Sequence, residues 1–340
     1  MFGHHGSMRV YRSRRSCLAV PGSNPRFIAK ARDLPADQVL FDLEDAVAPA
    51  AKDEARSNVA QALANDGQGG AADQRSGAAA PGGGTIMAVR INDASTEWAY
   101  RDVVDIVEAA GSSLDCIILP KVRDSGQVVW LDLLLSQIER AMRFDEGRIG
   151  IEAQIEDAHG LSCVETIASA SARLEALIFG PADFMASIGM RSLVVGEQPP
   201  GYDRGDAYHY PLMRILVAAR SHGLQAIDGP YLKVRDVPGF RASAARSASL
   251  GYDGKWVLHP GQVAAANEVY APDQADYEHA ELILDAYEYY TKVHRRGAVM
   301  LGEEMIDEAS RKMAMAVAAK GRAAGLRRGR SFEPPDRRFS

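Results

Sequence analysis

The chain is poor in cysteine and contains no long apolar run, and each absence excludes a class of protein. Its 340 residues include only Cys17, Cys116 and Cys163, widely spaced and with no CxxC pair. That spacing supports neither a disulfide framework nor a cysteine-based zinc site. The three thiols read as buried structural residues, a pattern that suits a reducing cytoplasm. No apolar stretch reaches the roughly 18 residues that a membrane span requires. Positive charge is not in excess either: the formal net charge is −6, which gives no bulk electrostatic case for nucleic acid. GxGxxG, GxSxG, HExxH and Walker sequences are missing, so dinucleotide, serine-hydrolase, zinc-protease and P-loop readings have no anchor. The start carries Arg9, Arg12, Arg14 and Arg15, but no apolar segment follows before Pro21-Gly22, so it does not read as a secretory signal. His4-His5-Gly-Ser reads as a cloning remnant or a natural leader and is set aside from the fold.

What is present is a rhythm. Composition is ordinary for a globular chain, 46% hydrophobic and 25% charged, with length for one large domain and an appendage. Eight short apolar runs stand out: 17–20, 38–42, 86–90, 116–120, 149–155, 176–180, 224–228 and 255–258. Runs of this length, often bounded by Gly or Pro, read as buried strands of a parallel sheet. Between them lie segments with apolar residues at three- and four-residue spacing, such as 100–110, 128–142 and 211–221, which read as helices. Eight alternations of this kind predict a (β/α)₈ barrel over 16–270. A doubly wound open sheet is the alternative, but the turn after the first run, Pro21-Gly22-Ser23-Asn24, is too poor in glycine for its nucleotide site. Residues 1–15 read as an N-terminal arm. The glycine- and alanine-rich segment 65–84 reads as an exposed, tolerated loop. After Pro272 two helical segments, 277–296 and 305–319, follow without a further barrel strand. They form an appendage over 271–320, with a short link at 298–301 that could be extended. The arginine-rich end, 321–340, reads as a disordered tail.

Charge collects at the C-terminal tips of the runs. They end in Asp42 with Glu44 and Asp45, in Arg90 and Asn92, in Lys121, in Glu156, in Asp183, in Asp228 and in His259. In a barrel these tips converge on one mouth, the usual active-site side. Glu156 and Asp183 follow consecutive runs and are the candidate metal ligands. Carboxylate oxygen without a His or Cys cluster selects Mg²⁺, with Mn²⁺ the alternative, over Zn²⁺. Two acids capping the helices that follow is the competing reading. Arg90 suits a carboxylate or a developing enolate oxygen, or an ion pair with Glu44 or Asp45, or both. Lys121 reads equally as a solvated lysine, and His259-Pro260 as a packed turn rather than a base.

Eight blocks of sequence then carry a resemblance. They are Val20-Pro-Gly-Ser-Asn24, Leu40-Phe-Asp-Leu-Glu-Asp-Ala-Val-Ala-Pro49, Val89-Arg-Ile-Asn92, Ile118-Leu-Pro-Lys-Val122, Ile155-Glu-Asp-Ala-His-Gly160, Phe179-Gly-Pro-Ala-Asp-Phe184, Ala226-Ile-Asp-Gly229 and Gly254-Lys-Trp-Val-Leu-His-Pro-Gly-Gln262. In this order, over about residues 14–320, the chain resembles the citrate lyase β-subunit-like (HpcH/HpaI aldolase) family. The tract 182–190, the tract 256–272 and the long C-terminal extension resemble its malyl-CoA and β-methylmalyl-CoA lyases most.

The resemblance implies a Mg²⁺-containing barrel, assembled as homotrimers or homohexamers in the cytoplasm and acting on a CoA thioester. By position it implies Glu156 and Asp183 as metal ligands and Arg90 as a substrate-binding arginine. It also implies that Asp307 is an aspartate lent to a neighbouring subunit's site, which makes the appendage a lid acting in trans. In these lyases an aromatic often stands where Ala19 is, and an arginine where Asn24 is, both on the CoA nucleotide. Here Lys30 keeps its counterpart, and Arg26 is the candidate to replace the missing charge. The segment 191–210 is shorter than its counterpart.

The expected reaction is reversible cleavage of L-malyl-CoA or β-methylmalyl-CoA to glyoxylate and acetyl-CoA or propionyl-CoA. Asp307 is expected as base, Arg90 as enolate stabiliser, and Glu44 and Asp45 beside the substrate. The alternatives are a citramalyl-CoA lyase releasing pyruvate, a malyl-CoA thioesterase and a non-catalytic β-like subunit.

Overall fold

A computed structural model describes residues 11–68 and 84–334. The short apolar runs become eight strands: β1 (Ser16–Pro21), β2 (Gln38–Asp42), β3 (Ile86–Arg90), β4 (Cys116–Leu119), β5 (Gly150–Ile155), β6 (Leu174–Phe179), β7 (Gln225–Asp228) and β8 (Gly254–Val257). Every neighbouring pair is parallel, and β1 pairs with β8 to close the ring. The chain is therefore a (β/α)₈ barrel in this region. Both strand faces are buried, which explains continuous rather than alternating hydrophobicity in the sequence.

Two separate apolar cores follow from the two-residue strand period. Leu18, Val39, Phe41, Val89 and Ile117 point outward and pack with helix residues such as Val103, Leu131 and Ile215. Cys17, Leu40, Ala88, Cys116, Ile178 and Trp256 point inward and fill the barrel centre. Burial pushes the Cys17 and Cys116 thiols well up, and the nearby Glu152 adds to this, so both stay protonated and unreactive.

The helices lie close to their sequence expectations. The segment read as 100–110 is Ala99–Ala110, and that read as 211–221 is His209–Ser221. The one read as 128–142 starts earlier, at Ser125, because Asp124 and Gln127 form a capping box. The helix Lys52–Gln68 runs into the segment expected as a loop from 65. Residues 69–83 of that segment, 1–10 of the arm and 335–340 of the tail lie outside the described residues.

Of the described residues, 14–68 and 84–270 form one compact unit, and 271–334 belong to a second. In the second, the helices Gln274–His294 and Glu308–Ala323 enclose an antiparallel hairpin, β9 (Val299–Leu301) and β10 (Glu304–Ile306). Its own core includes Ile283, Ala286, Val299, Ile306 and Ala318. The link at 298–301 is thus extended and pairs within the appendage. Among the described residues no helix is long and apolar enough to cross a membrane.

Candidate functional site

The C-terminal mouth of the barrel holds a cavity of about 410 Å³, lined by Arg90, Glu156, Asp183, Asp45, Gln154 and Trp256 among others. Strand parity explains the set. Glu152, Gln154 and Glu156 share one face of β5, the face that looks inward, so Glu156 emerges at the rim. It is only 2% exposed. Its Oε1 accepts from the Lys121 backbone N–H at 2.7 Å, and its Oε2 accepts from Gln154 Nε2 at 2.8 Å. Lys121 adopts φ 51° to deliver that N–H, a left-handed conformation that a non-glycine residue holds at a cost.

Gly180 makes the arrangement possible. A Cβ there would lie 2.4 Å from Glu156 Oε2. Burial pushes the Glu156 carboxyl up to about 8; Arg90 pulls it down and Asp183 pushes it further up. Two acids that repel each other in one cavity, with oxygen as their only donor type, suit a hard cation. Asp183 sits in the first turn of the helix Pro181–Ser187, with its side chain 44% exposed and Oδ2 3.9 Å from Lys121 Nζ. Among the described residues no group of three or more His, Cys, Asp or Glu side chains is placed to hold a metal; Glu156 and Asp183, completed by neutral oxygens, could hold a cation at the mouth.

Arg90 stands on the inward face of β3. It grips Asp42 with two bonds, Nε to Oδ1 at 2.8 Å and a terminal nitrogen to Oδ2 at 2.6 Å. The sequence offered Glu44 or Asp45 as its ion-pair partners, and Asp42 is the principal one because the β2–β3 register sets Asp42 beside Arg90. Glu44 Oε2 follows at 3.2 Å and Asp45 Oδ2 at 3.6 Å. The guanidinium also lies over the Trp256 ring, 5.1 Å from its centroid. Burial opposes its charge, but Asp42, Glu44 and Glu156 outweigh that and hold it firmly protonated. Glu44 is 5% exposed and ion-paired to Arg90 and Lys121. It does not line the cavity, whereas Asp45 does.

Not every charged strand tip reaches this mouth. Asp228 has the outward parity. It accepts from Lys255 Nζ at 2.6 Å and from Ser247 Oγ at 2.8 Å, in a sealed pair between sheet and helices. Asn92 is likewise turned away, donating to Asp102 Oδ2 at 2.6 Å. His259 caps the helix Pro260–Val269 through Nδ1.

A second cavity, of about 390 Å³, shares Ala19, Val20, Pro21 and Leu258 with the first and adds Phe27, Lys30 and His259. Lys30 therefore lines it. Arg26, on the same helix (Pro25–Ala31), is exposed and lines neither cavity. Asn24 is the N-cap of that helix, its Oδ1 accepting from Arg26 N and Phe27 N at 3.2 Å.

Asp307 belongs to the second unit. It is the N-cap of the helix Glu308–Ala323, its Oδ1 accepting from Ala309 N at 2.9 Å and Ser310 N at 3.0 Å. The Ser310 N–H bond, then the Ser310 hydroxyl and Ala309 N–H, draw its carboxyl below the usual range.

The sequence profile of the HpcH/HpaI aldolase/citrate lyase family matches residues 15–260, the span that holds the barrel and both cavities. The chain belongs to that family. An L-malyl-CoA/β-methylmalyl-CoA lyase of Cereibacter sphaeroides is 40% identical over 314 residues, which cover 89% of this chain and 93% of that protein. The citrate lyase subunit β of Escherichia coli is 32% identical, over 94% of this chain and 97% of its own length. Among solved structures, the protein CitE of Mycobacterium tuberculosis in complex with magnesium, acetoacetate and coenzyme A has a TM-score of 0.65 at 26% identity, covering 92% of this chain and 98% of that one. Family members named in these matches are carbon–carbon lyases, and this chain is a lyase of that kind.

Proposed function

We propose that the chain is a Mg²⁺-dependent CoA-ester lyase that cleaves and forms the C–C bond of L-malyl-CoA or β-methylmalyl-CoA, with glyoxylate as the 2-oxo acid and acetyl-CoA or propionyl-CoA as partner. The observation that carries this is the shared lining of one cavity by Arg90, Glu156 and Asp183, in a chain 40% identical to a lyase of that name. Glu156 and Asp183 would hold the cation. A magnesium ion there, with Mn²⁺ the alternative, would supply a Lewis acid and template for the carboxylate and aldehyde oxygens of glyoxylate.

The chain's own groups divide the remaining work. In the condensing direction Asp307, lent by a neighbouring copy in a trimer or hexamer, takes a proton from the acyl carbon beside the thioester. A carboxylate whose charge is already favoured is a weak base, so the enolate it generates must be stabilised. Arg90 provides that stabilisation: its guanidinium is anchored by Asp42 and keeps a face on the cavity. In the cleaving direction the same groups return the proton. Asp45 lines the cavity and would stand beside the substrate, with Glu44 behind it fixing Arg90 and Lys121. The second cavity, beside Lys30 and Phe27, suits the nucleotide end of CoA, where a lysine ammonium meets phosphate and an aromatic ring meets the base. Arg26 lies one turn earlier on the same helix, exposed, and would add positive charge for the CoA phosphates.

The test is a product assay of the purified protein with Mg²⁺ against malyl-, β-methylmalyl- and citramalyl-CoA. Glyoxylate with acetyl-CoA or propionyl-CoA is the expected outcome. Pyruvate from citramalyl-CoA alone would move the assignment to that substrate, and free CoA without a 2-oxo acid would make the chain a thioesterase.

A further inference from the structure

Gln154 is polar in an otherwise apolar run, and its amide is only half used. The side chain is 3% exposed. Its Nε2 donates to Glu156 Oε2 at 2.8 Å, the orientation that an ionised, cation-holding Glu156 requires: turned over, the amide would set oxygen against carboxylate oxygen. Its Oε1 is then a buried acceptor with no hydrogen-bond partner. The indole N–H of Trp256 lines the same cavity and is itself unpartnered, so it is not the donor. Leaving a buried amide oxygen unsatisfied costs about 1–3 kcal/mol, a cost that a group entering the cavity would relieve.

Other unpartnered buried oxygens, Gln38 Oε1 and Glu152 Oε2, line neither cavity described above. Gln154 lines the mouth cavity beside both candidate ligands. Gly180 leaves room for the pair: a Cβ there would lie 3.0 Å from Gln154 Nε2 as well as 2.4 Å from Glu156 Oε2.

We propose that Gln154 is a positioning and binding residue of the cation site, holding Glu156 through its N–H and presenting its carbonyl oxygen to the hydrated divalent cation. The inference rests on the reading of Glu156 and Asp183 as cation ligands. Two carboxylates leave several positions of an octahedral ion to neutral oxygens and water. A neutral amide oxygen adds a donor to the ion or to its water without adding repulsion between acids. The amide N–H acts on the ligand carboxylate from behind, the kind of support whose loss typically weakens metal binding about 10- to 100-fold.

The test is titration of the metal-free protein with Mg²⁺ by calorimetry, for wild type and for Gln154→Met, which keeps the volume and removes both polar groups. The expected result is an about 10- to 100-fold rise in Kd with an unchanged thermal midpoint. An unchanged Kd in a folded variant would overturn the proposal, as would a raised KM for the CoA ester with Mg²⁺ affinity intact, which would give the oxygen to substrate. A second measurement does not depend on the variant folding. In wild type loaded with Mn²⁺ and carrying ¹³C at the glutamine side-chain carbonyl, electron–nuclear double resonance should show a coupled carbon, and its absence would contradict the proposal. If wild type bound no divalent ion at all, the reading of Glu156 and Asp183 would fail first, and that outcome is distinct from failure at Gln154.

Discussion

The two ends of the barrel use the same side chains to opposite effect. At the N-terminal end Arg14, 2% exposed, donates Nε to Glu152 Oε1 at 2.7 Å and also meets Glu175 and Gln225. Gln38 adds a bond to the same Glu152 oxygen at 2.7 Å. At the C-terminal end Arg90, 6% exposed, sits among Asp42, Glu44 and Glu156. Composition cannot tell these nests apart. Space can. The lower one lines neither cavity, and its Arg14 and Glu152 are 2% and 0% exposed. The upper one lines a cavity of about 410 Å³. A buried arginine among acids is therefore a plug where its charges are closed over and a site where they border open volume.

That contrast can be broken by substitution, beginning with the largest effect. Asp183→Ala removes a half-exposed ligand candidate from the mouth. Turnover should fall about 10³-fold or more while the thermal midpoint holds, as measured by product assay alongside calorimetric melting. Arg14→Met should do the reverse. Glu152 is left buried without its partner, which costs about 3 kcal/mol or more in denaturant unfolding, while kcat per folded molecule stays level. Equal losses of kcat in both variants would erase the distinction between plug and site.

Asp307→Asn comes next. Asparagine caps a helix as well as aspartate does, so stability should be unchanged while kcat falls about 10²-fold. Unchanged kcat would remove Asp307 from the reaction and leave it a cap. Lys30→Ala is the mildest, with an expected rise of about fivefold in KM for the CoA ester, the scale of one exposed charge contact, and no change in kcat.

The fold was legible because parallel strands buried on both faces announce themselves as short apolar runs, and eight of them could be counted. The mouth was legible in part. Residues just beyond a run, such as Glu156 and Asp183, were found by position alone. By position Asp228 belongs with them, yet it turns outward to Lys255 and Ser247. Its strand parity, opposite to that of the inward Ile227, was the available signal. Asp42 was seen as a tip but not as the main partner of Arg90, because that pairing depends on register between strands 48 residues apart. Gln154 carries no charge and so does not stand out as a tip, although it lies two residues before Glu156 and therefore shares its face. Arg14 lies ahead of the first strand, in what read as an arm, and nothing local in the sequence reveals that it plugs the barrel. The role proposed for Asp307 rests on family resemblance only. Its structural signature is a capping box, which an isolated sequence would explain without any chemistry.

The most direct test of the account is whether the mouth carboxylates hold a cation. Metal-free wild type titrated with Mg²⁺ by calorimetry should show one ion per chain, and Asp183→Asn, folded to the same melting profile, should lose that binding. Identical isotherms for the two proteins would contradict the account.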